Sequence, residues 1–514
     1  MIGIYSRGQI ADIEDASERL GVSKIELMEN AGRAAFDVIM QRYNSDINSV
    51  LVVCGSGNNG GDGLVLARLL GEMDIDVTVL LANDEVKSKS AKLMLSKLEN
   101  IRAVNYSDVV SELSELIKRA DLVVDAIYGT GFHGEIDSHL TPLTECIASA
   151  YRKTVALDLP SGVECDSGRA AEKCVKATLT ISFIAMKKCH VVYPSAEYCG
   201  ETVVADIGVP DAAFPECNMY AVEDEDVSCL IGAARPAVCN KYDFGRALLV
   251  CGSYGMAGAA KIAASAATSC GAGLVPGCRP RSVYPIVASG LSEAVFHPME
   301  ETQSGRLSKL CESELLSYTE KSDCTLIGCG MGCDADTRAL VDLMVSMSNV
   351  PFVIDADGIN CIAANINILR KRKVPTVLTP HMGEMSRLCG MACAEIAADP
   401  ISVGRSFSSE YGVILVLKGP HTMIFAPDGM VYVNMSGNSG MATAGSGDML
   451  AGMIAAFIAQ GFDAATSAFV AVHIHGVAGD IAAKRFSERA MTPTDMIGCL
   501  CDVFLDYEKR NRVN

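Results

Sequence analysis

The 514-residue sequence is short of positive charge: Lys plus Arg number 43 against 62 Asp plus Glu, a formal net charge of −19. A pI near 4.9 excludes a groove that tracks nucleic-acid phosphates, which needs a dense cationic face. Any phosphate must then be met by backbone N–H groups, helix N-termini or metal ions. Long apolar runs are missing as well. The most apolar stretch, Met449–Ala459, stops at Gln460, short of the roughly 20 residues a bilayer span needs, so no membrane partner is expected. The opening MIGIYSRGQIADIEDASERLG turns acidic within a few residues, and no signal peptide is expected there. There is no disulfide framework: the 21 Cys are odd in number and scattered among 23 Met, the usage of reduced thiols in a cytosolic compartment. No period of 20 to 50 residues and no low-complexity tract is present.

What the chain does have is apolar mass. Hydrophobic residues make up 49% and charged ones 20%, with 46 Gly against 17 Pro, enough to offset the ordering entropy of a folded state. At about 100–200 residues per domain, two or three cores are expected. In the first part, SVLVVC at 49–54, DVTVLLA at 76–82, DLVVDAIYG at 121–129 and KTVALDLP at 153–160 alternate with helical periods, an order that predicts a parallel α/β sheet. Two leading helices are expected, Gln9–Leu20 and Lys24–Met40, the second capped by Ser23. Between Ile207 and Arg235 the strand pattern lapses into loop-like sequence with Pro210, Pro215 and, just beyond, Pro236, and an acidic cluster at Glu223–Asp226. This places a boundary near 220–240 and suggests domains 1–220 and 221–514. A second α/β pattern follows: RALLVCG at 246–252, a small-residue helix Gly258–Ser269, and strands within CTLIG, PFVIDAD, VPTVLTP and YGVILVLKG. After Lys418 come two short strands, HTMIFAP and MVYVNM, a glycine-rich loop and long Ala-rich helices.

Strand 49–54 runs into Gly55-Ser56-Gly57-Asn58-Asn59-Gly60-Gly61-Asp62-Gly63 and then a helix. Glycines there let the backbone approach a pyrophosphate while the helix N-terminus adds partial positive charge; the same spacing also serves an ordinary tight turn. Asp125 and Asp158 stand at the ends of two later strands, where ligands of parallel sheets bind. Oxygens of Asn59, Asp125, Asp158 and Ser161 converging without Cys or His suit a hard cation, although strand-end Asp residues also cap turns. MENAG at 28–32, NNGGDG at 58–63, DAIYGTG at 125–131, DLPSGVECDSG at 158–168 and VVADIGVP at 203–210 together resemble the YjeF N-terminal family, the NAD(P)H-hydrate epimerases, over nearly all of residues 1–210. The resemblance implies a Rossmann-like three-layer α/β/α sandwich. It also implies a substrate site at Asn58-Asn59-Gly60-Gly61-Asp62, Gly129-Thr130-Gly131-Phe132-His133-Gly134-Glu135 and Asp158, with K⁺ held by Asn59, Asp125 and Ser161. Epimerising a hydrated nicotinamide ring needs proton transfer at the ring, and Asp158 is the acid/base candidate. Met186, before Lys187, departs from the Pro more common in the family.

The second motif is Asn438-Ser439-Gly440-Met441-Ala442-Thr443-Ala444-Gly445-Ser446-Gly447-Asp448, running into the helix MLAGMIAAFIA. Small residues let consecutive N–H groups face an anion, and the helix dipole adds to them. A carboxylate beside such an anion hole suits a base that takes a proton from a hydroxyl; Asp is also a favoured N-cap. With KGPHT at 418–422, the pattern resembles the ribokinase-like kinases. More specifically, NKYDFG at 240–245, CGSYGMAGAAKIAA at 251–264, GCGMGCD at 328–334, DADGIN at 355–360, TPHMGEMSRL at 379–388, NSGMATAGSGDMLAG at 438–452 and HGVAGD at 475–480 are similar to the YjeF C-terminal family, the nucleotide-dependent NAD(P)H-hydrate dehydratases, from about 225 to about 505. That resemblance implies a ribokinase-like α/β domain. It assigns Ala257, Gly330 or Gly332, His381 and Asp448 to the hydrate, and Lys418-Gly419-Pro420-His421-Thr422 with Asn438 to Gly447 to the nucleotide. Ala444 stands where the family has Gly, and Cys329 and Cys333 where it has Pro and Arg. Cys324, Cys329 and Cys333 lack the spacing of a zinc site and are expected as buried thiols. His473 and His475 point to opposite sides of a helix and are expected in the core.

The expected function is therefore bifunctional metabolite repair: epimerisation of the R and S forms of hydrated NAD(P)H, and dehydration of the S form with ADP or ATP as co-substrate, with K⁺ and Mg²⁺ as ions. The alternative is a ribokinase-like small-molecule kinase with an N-terminal nucleotide- or partner-binding module. The Ala-rich C-terminal helices suggest a homo-oligomer.

Overall fold

Strands apolar at every position need cover on both faces, and SVLVVC illustrates how the first sheet is built. Val50, Val52 and Cys54 pack on one side with Leu64, Ala67 and Leu70, while Leu51 and Val53 pack on the other with Leu113, Ile117 and Leu143. The computed structural model describes residues 1–43, 46–73, 75–150, 152–232 and 235–513. It divides into two units, Ile2–Cys217 and Asn218–Asn514, Met1 being grouped with the second.

The first unit carries seven parallel strands: β1 Ser49–Cys54, β2 Asp76–Leu81, β3 Arg102–Asn105, β4 Leu122–Ala126, β5 Lys153–Leu157, β6 Leu179–Phe183 and β7 Glu201–Ala205. Their order is β3-β2-β1-β4-β5-β6-β7, with every neighbouring pair parallel. Helices on both faces complete an α/β/α sandwich of Rossmann type. The order reverses between β1 and β4, and a crevice opens at such a point. The leading helices are Arg7–Arg19, capped by Ser6 and Gln9, and Lys24–Tyr43, where Ser23 Oγ accepts from Glu26 N at 3.2 Å. Strands β3, β6 and β7 escape the sequence pattern. In β6 the cause is polar: Thr180 and Ser182 are buried, bonding to Cys199 O at 2.6 Å and Ala185 O at 2.7 Å.

In the second unit the strands are β8 Met219–Val222, β9 Ala247–Val250, β10 Pro276–Pro280, β11 Val295–Met299, β12 Cys324–Ile327, β13 Phe352–Ile354, β14 Thr376–Leu378, β15 Ile414–Leu417, β16 Thr422–Phe425 and β17 Val431–Asn434. They lie in the order β11-β10-β9-β12-β13-β14-β15-β16-β17-β8. All neighbouring pairs are parallel except β15–β16 and β16–β17, a meander formed by the two short strands after Lys418. Again the order reverses, here at β9 and β12. The stretch 207–235 is not the continuous loop expected: β8 lies in it, and its acidic cluster forms the first turn of helix Asp224–Ile231, where negative charge meets the positive helix end. Ala233 and Ala234 of that stretch lie outside the described residues. The Ala-rich helices Ala257–Ser269, Ser446–Ala459 and Ala464–Phe486 bury their alanines in this unit's own core. Gly452 permits the close crossing, since a Cβ there would lie 2.3 Å from Ala263 O. No helix among the described residues is long and apolar enough to cross a membrane.

The junction after β1 leaves no room for a side chain at Gly55 or Gly60. A Cβ on Gly55 would lie 1.9 Å from Ile127 O, and one on Gly60 would lie 2.0 Å from Gly55 O. Both neighbours are backbone and cannot yield as a side chain would. Gly60→Ala is therefore expected to cost about 3 kcal/mol or more, at the upper end of overpacking, read as a lower denaturant midpoint for the first unit. Gly131→Ala, with no atom within 4 Å of the new Cβ, is expected to stay within about 0.5 kcal/mol of wild type.

Candidate active sites

A cavity of about 660 Å³ opens at the β1/β4 reversal of the first unit. Asn58, Asn59, Asp62, the segment Gly129–His133, Glu135, Asp158 and Lys187 line it, joined by Glu14 and Lys24 from the leading helices. Of the residues expected at substrate, Gly60, Gly61 and Gly134 do not line it. Gly60 and Gly61 are buried in the first turn of helix Asn58–Gly71, and Gly134 N donates to Glu164 Oε1 at 2.9 Å. Asp125 and Ser161 are fully buried. Asp125 accepts from Ser161 N at 2.7 Å, Ser161 Oγ at 2.6 Å and Ile127 N at 3.2 Å. Burial raises its pKa, and those hydrogen bonds oppose the rise. Ser161 Oγ in turn accepts from Tyr128 N at 3.0 Å. Asn59 donates through Nδ2 to Tyr128 O at 2.8 Å, while its Oδ1 is buried without a hydrogen-bond partner. A buried acceptor left unmet costs free energy, and this one suits a cation bound by hard oxygens.

Asp158 takes a left-handed conformation, φ +67°, a strained state for a residue with a side chain. Its Oδ1 receives Lys187 Nζ at 2.5 Å. A Cβ on Gly129 would lie 3.4 Å from Oδ2, so that oxygen looks toward the loop lining the cavity. Lys187 is fully buried and also donates to Ser182 Oγ at 2.9 Å and Phe183 O at 2.7 Å. It is placed by the two-residue strand Met186–Lys187, which pairs in parallel with Ile2–Tyr5, Tyr5 opposite Lys187. His190 Nδ1 accepts from Lys187 N at 3.1 Å, leaving Nε2 to donate to Asp158 O at 3.0 Å. Burial, reinforced by Lys187, lowers the His190 pKa to about 3, so the ring is neutral. Asp62 and Glu14 are pushed up by burial and by the Asp158 charge. Lys187, His190 and Glu14 had no role in the sequence reading; the only signal was the lysine's nearness to a motif departure at Met186.

In the second unit, the loops after β9, β12, β13, β14 and β15 converge. Asp448 sits in the first turn of helix Ser446–Ala459, and Cys329, Asp355 and Asp448 bring their side-chain ligand atoms within 4.8 Å of one another. Burial, then the Asp355 charge, pushes the Asp448 pKa up to about 6, against a thiol hydrogen bond from Cys329 and the Lys418 charge. Asp355 Oδ1 accepts from Thr379 Oγ1 at 2.7 Å and Lys418 Nζ at 2.9 Å. Burial opposes the Lys418 ammonium, but the Asp355 and Glu384 carboxylates outweigh it and raise its pKa. Ala356, at φ +48°, separates Asp355 from Asp357, whose Oδ2 accepts from Gly332 N at 2.8 Å. Gly330 abuts Met256 and Ala259, next to Ala257. His381 caps helix Met382–Cys389, its Nδ1 accepting from Gly383 N at 3.0 Å, and it bridges to Lys418.

The loop Asn438–Gly445 is tied down from behind. Asp480 accepts from Gly437 N and Asn438 Nδ2, both at 2.9 Å, and Ser446 Oγ lies 3.2 Å from His475 Nε2. Ser439 bonds Glu488, and Met441 packs beside Gly437 and Gly479. Gly445 turns the chain into the helix at φ +96°. Among the described residues, the amides of Ala444, Gly445, Gly447 and Asp448 meet no acceptor, which is the condition of a free helix N-terminus. Gly419 and Thr422 hold the exposed turn between β15 and β16, Thr422 Oγ1 donating to Gly419 O at 3.2 Å; Pro420 and His421 lie in it. His473 and His475 are both buried and meet different partners, Asp224 and Ser446. Asp355, Asp357, Thr379 and Glu384 had no role in the sequence reading, although the DADGIN and TPHMGE segments contain them.

Residues 247–501 match the family model of the NAD(P)H-hydrate dehydratases, and residues 24–189 match that of the YjeF-related protein N-terminus. The chain is 39% identical to a bifunctional NAD(P)H-hydrate repair enzyme of Moorella thermoacetica, covering 96% of this chain and 94% of that one. It is 33% identical to the enzyme of the same description from Escherichia coli strain K12, covering 95% and 90%. Among solved structures, a ribokinase-like superfamily protein from Enterococcus faecalis V583 is similar at 26% identity and a TM-score of 0.50, over 56% of this chain and 96% of that one. By these matches along nearly its whole length, the chain belongs to the family of bifunctional NAD(P)H-hydrate repair enzymes.

Proposed function

We propose that the chain repairs hydrated NADH and NADPH, interconverting the two epimers in a domain of residues 1–220 and dehydrating the S epimer in a domain of residues 221–514, at the expense of ADP or ATP. The observation that carries the second activity is the set of unpartnered amides at 444, 445, 447 and 448 beside a carboxylate with a pKa of about 6. Asp448 takes the proton of the hydrate hydroxyl. The resulting oxyanion attacks the terminal phosphoryl of the nucleotide, and the loop amides hold the charge that builds on the transferred group. The phosphate ester then eliminates inorganic phosphate with loss of a ring proton, restoring the reduced nicotinamide. Lys418 cancels part of the Asp355 charge, so that Asp448 stays ionised near neutrality. Ala257, Gly330, Gly332 and His381 face the hydrate in this reading, and Lys418–Thr422 with Asn438–Gly447 face the nucleotide.

In the first unit Asp158 exchanges protons with the substrate through Oδ2, its other oxygen being held by Lys187. Substrate lies along Asn58–Asp62 and Gly129–Glu135. Asn59, Asp125 and Ser161 would hold K⁺, and the unmet Asn59 Oδ1 supports that fit; the ion would supply a fixed positive charge for an anionic substrate. Mg²⁺ fits differently. The cluster at Asp448 mixes a thiol with two carboxylates, poorly suited to an ion that prefers all-oxygen octahedra, so the nucleotide phosphates would hold Mg²⁺ and have their charge partly neutralised by it. A reducing cytoplasm suits a chain whose described cysteines form no disulfide.

Asp448→Asn is expected to lower the dehydratase kcat about 10²- to 10⁴-fold, the usual worth of a general base, while the Kd for ADP or ATP measured by calorimetry stays near wild type. Equal loss of both would instead make Asp448 a structural cap. The dehydratase rate is expected to rise through pH 6 and level off above it: below about 6 Asp448 holds a proton and cannot accept another. A rate flat from pH 5 to 8 would remove Asp448 as the base. With a mixture of epimers and excess nucleotide, Asp158→Asn in the full chain is expected to restore nicotinamide absorbance only to the share of the S epimer, then stall. Full recovery at the wild-type rate would refute the assignment of Asp158.

A further inference from the structure

Several thiols lie in contact, and one such pair has no part in the proposed reactions. Cys165 meets Cys189, Cys251 meets Cys329, and Cys361 donates to Cys333 with the sulfurs 3.5 Å apart. The first two pairs are sealed, no member being more than 1% exposed. The third is not. Cys361 is buried in helix Asp357–Ile362, whereas Cys333 is half-buried and reaches the surface at the end of the loop after β12. Arg338 Nε donates to Cys333 Sγ at 3.3 Å, setting a permanent positive charge against the one sulfur of the pair that a solute can reach. The attacking sulfur must be one that an external disulfide can reach, and of the two only Cys333 is not buried. Burial pushes the Cys361 thiol upward, which keeps it protonated until its neighbour has reacted. The two segments are already held together by Gly332 N on Asp357 Oδ2 at 2.8 Å. Closure requires the sulfurs to approach from 3.5 Å to the roughly 2.05 Å of a disulfide bond.

We propose that Cys333 and Cys361 form a reversible disulfide by exchange with a small-molecule disulfide, Cys333 attacking and Cys361 resolving. In the first step the Cys333 thiolate forms a bond to one sulfur of the external disulfide, whose own S–S bond breaks; the released thiolate takes up the proton Cys333 gave to solvent. In the second, Cys361 loses its proton and bonds to the Cys333 sulfur, expelling the second small thiol. The protein loses two protons and two electrons, and the external disulfide gains both as two thiols. The thiol chemistry stands apart from any activity. Its consequence rests on the reading given under Proposed function: the bridge fixes the loop carrying Gly330 and Gly332, and so weakens capture of the hydrate without touching the nucleotide loop at 438–447.

Oxidised glutathione added to the native full chain, followed by alkylation, proteolysis and mass spectrometry, tests this. Expected is a linked peptide pair containing Cys333 and Cys361 that dithiothreitol removes. Cys361→Ser should stop at a glutathione adduct on Cys333, Cys333→Ser should give neither product at this pair, and Arg338→Gln should slow the Cys333 adduct several-fold. A Cys333 that remains fully alkylatable, or that links to another cysteine, overturns the proposal, as does a first adduct on Cys361. In the bridged chain the KM for the hydrate should rise several-fold with the nucleotide Kd unchanged, and reductant should reverse the rise. An unchanged KM in chain shown to carry the bridge overturns the assigned consequence, and a chain that never dehydrates hydrate refutes the activity while leaving the mass result to stand.

Discussion

Backbone N–H groups with nothing to bond inside the protein are the constraint on which the second unit's site depends. A chain of net charge −19 has little cationic surface to offer a phosphate, and a helix N-terminus offers amides that need no side chain at all. Keeping those amides free demands that the loop be fixed from its other side. Asp480, His475 and Glu488 do this from helix Ala464–Phe486 and the turn after it, and residues as small as Ala444, Gly445 and Gly447 leave the approach open. Buried alanine-rich helices behind the loop then have a reason beyond packing: they hold the anchor residues at a fixed distance from the sheet.

A second common element is a lysine driven into the protein and tied to a strand-end carboxylate. In the first unit Lys187 grips Asp158 and settles which of its oxygens faces the cavity. In the second, Lys418 grips Asp355, not Asp448 but its neighbour. Without that ammonium, two carboxylates at close range in a buried site would drive the Asp448 pKa higher still. The same ion pair therefore serves orientation in one site and charge compensation in the other. Both lysines are set by backbone pairing, Lys187 opposite Tyr5 and Lys418 bridged to His381.

Much of this was legible in the residues. The pattern SVLVVC matches β1 at both ends because both its faces are covered, and its glycine exit is dictated by backbone atoms closer than 2.1 Å to a Cβ added at Gly55 or Gly60. Asp158 and Asp448 stand out because each follows or precedes a glycine-rich turn. Strands with buried hydroxyls, such as β6, stay hidden, since Thr180 and Ser182 look solvent-facing until their backbone acceptors are seen. Asp355 was equally hidden: inside DADGIN nothing distinguishes the carboxylate that meets Lys418 from Asp357, which holds Gly332, and only the turn at Ala356 sends them to different partners.

By itself the sequence determined the two α/β patterns, the glycine junctions and the acidic balance that leaves little cationic surface, because these depend on residue type and local spacing. Tertiary structure decided which lysine meets which carboxylate, which oxygen of Asp158 is left free, and that Cys333 lies against Cys361 and not against Cys329. Those outcomes depend on segments far apart in the chain, and on burial, which changes what a charge or a thiol costs only once the surrounding elements have closed over it.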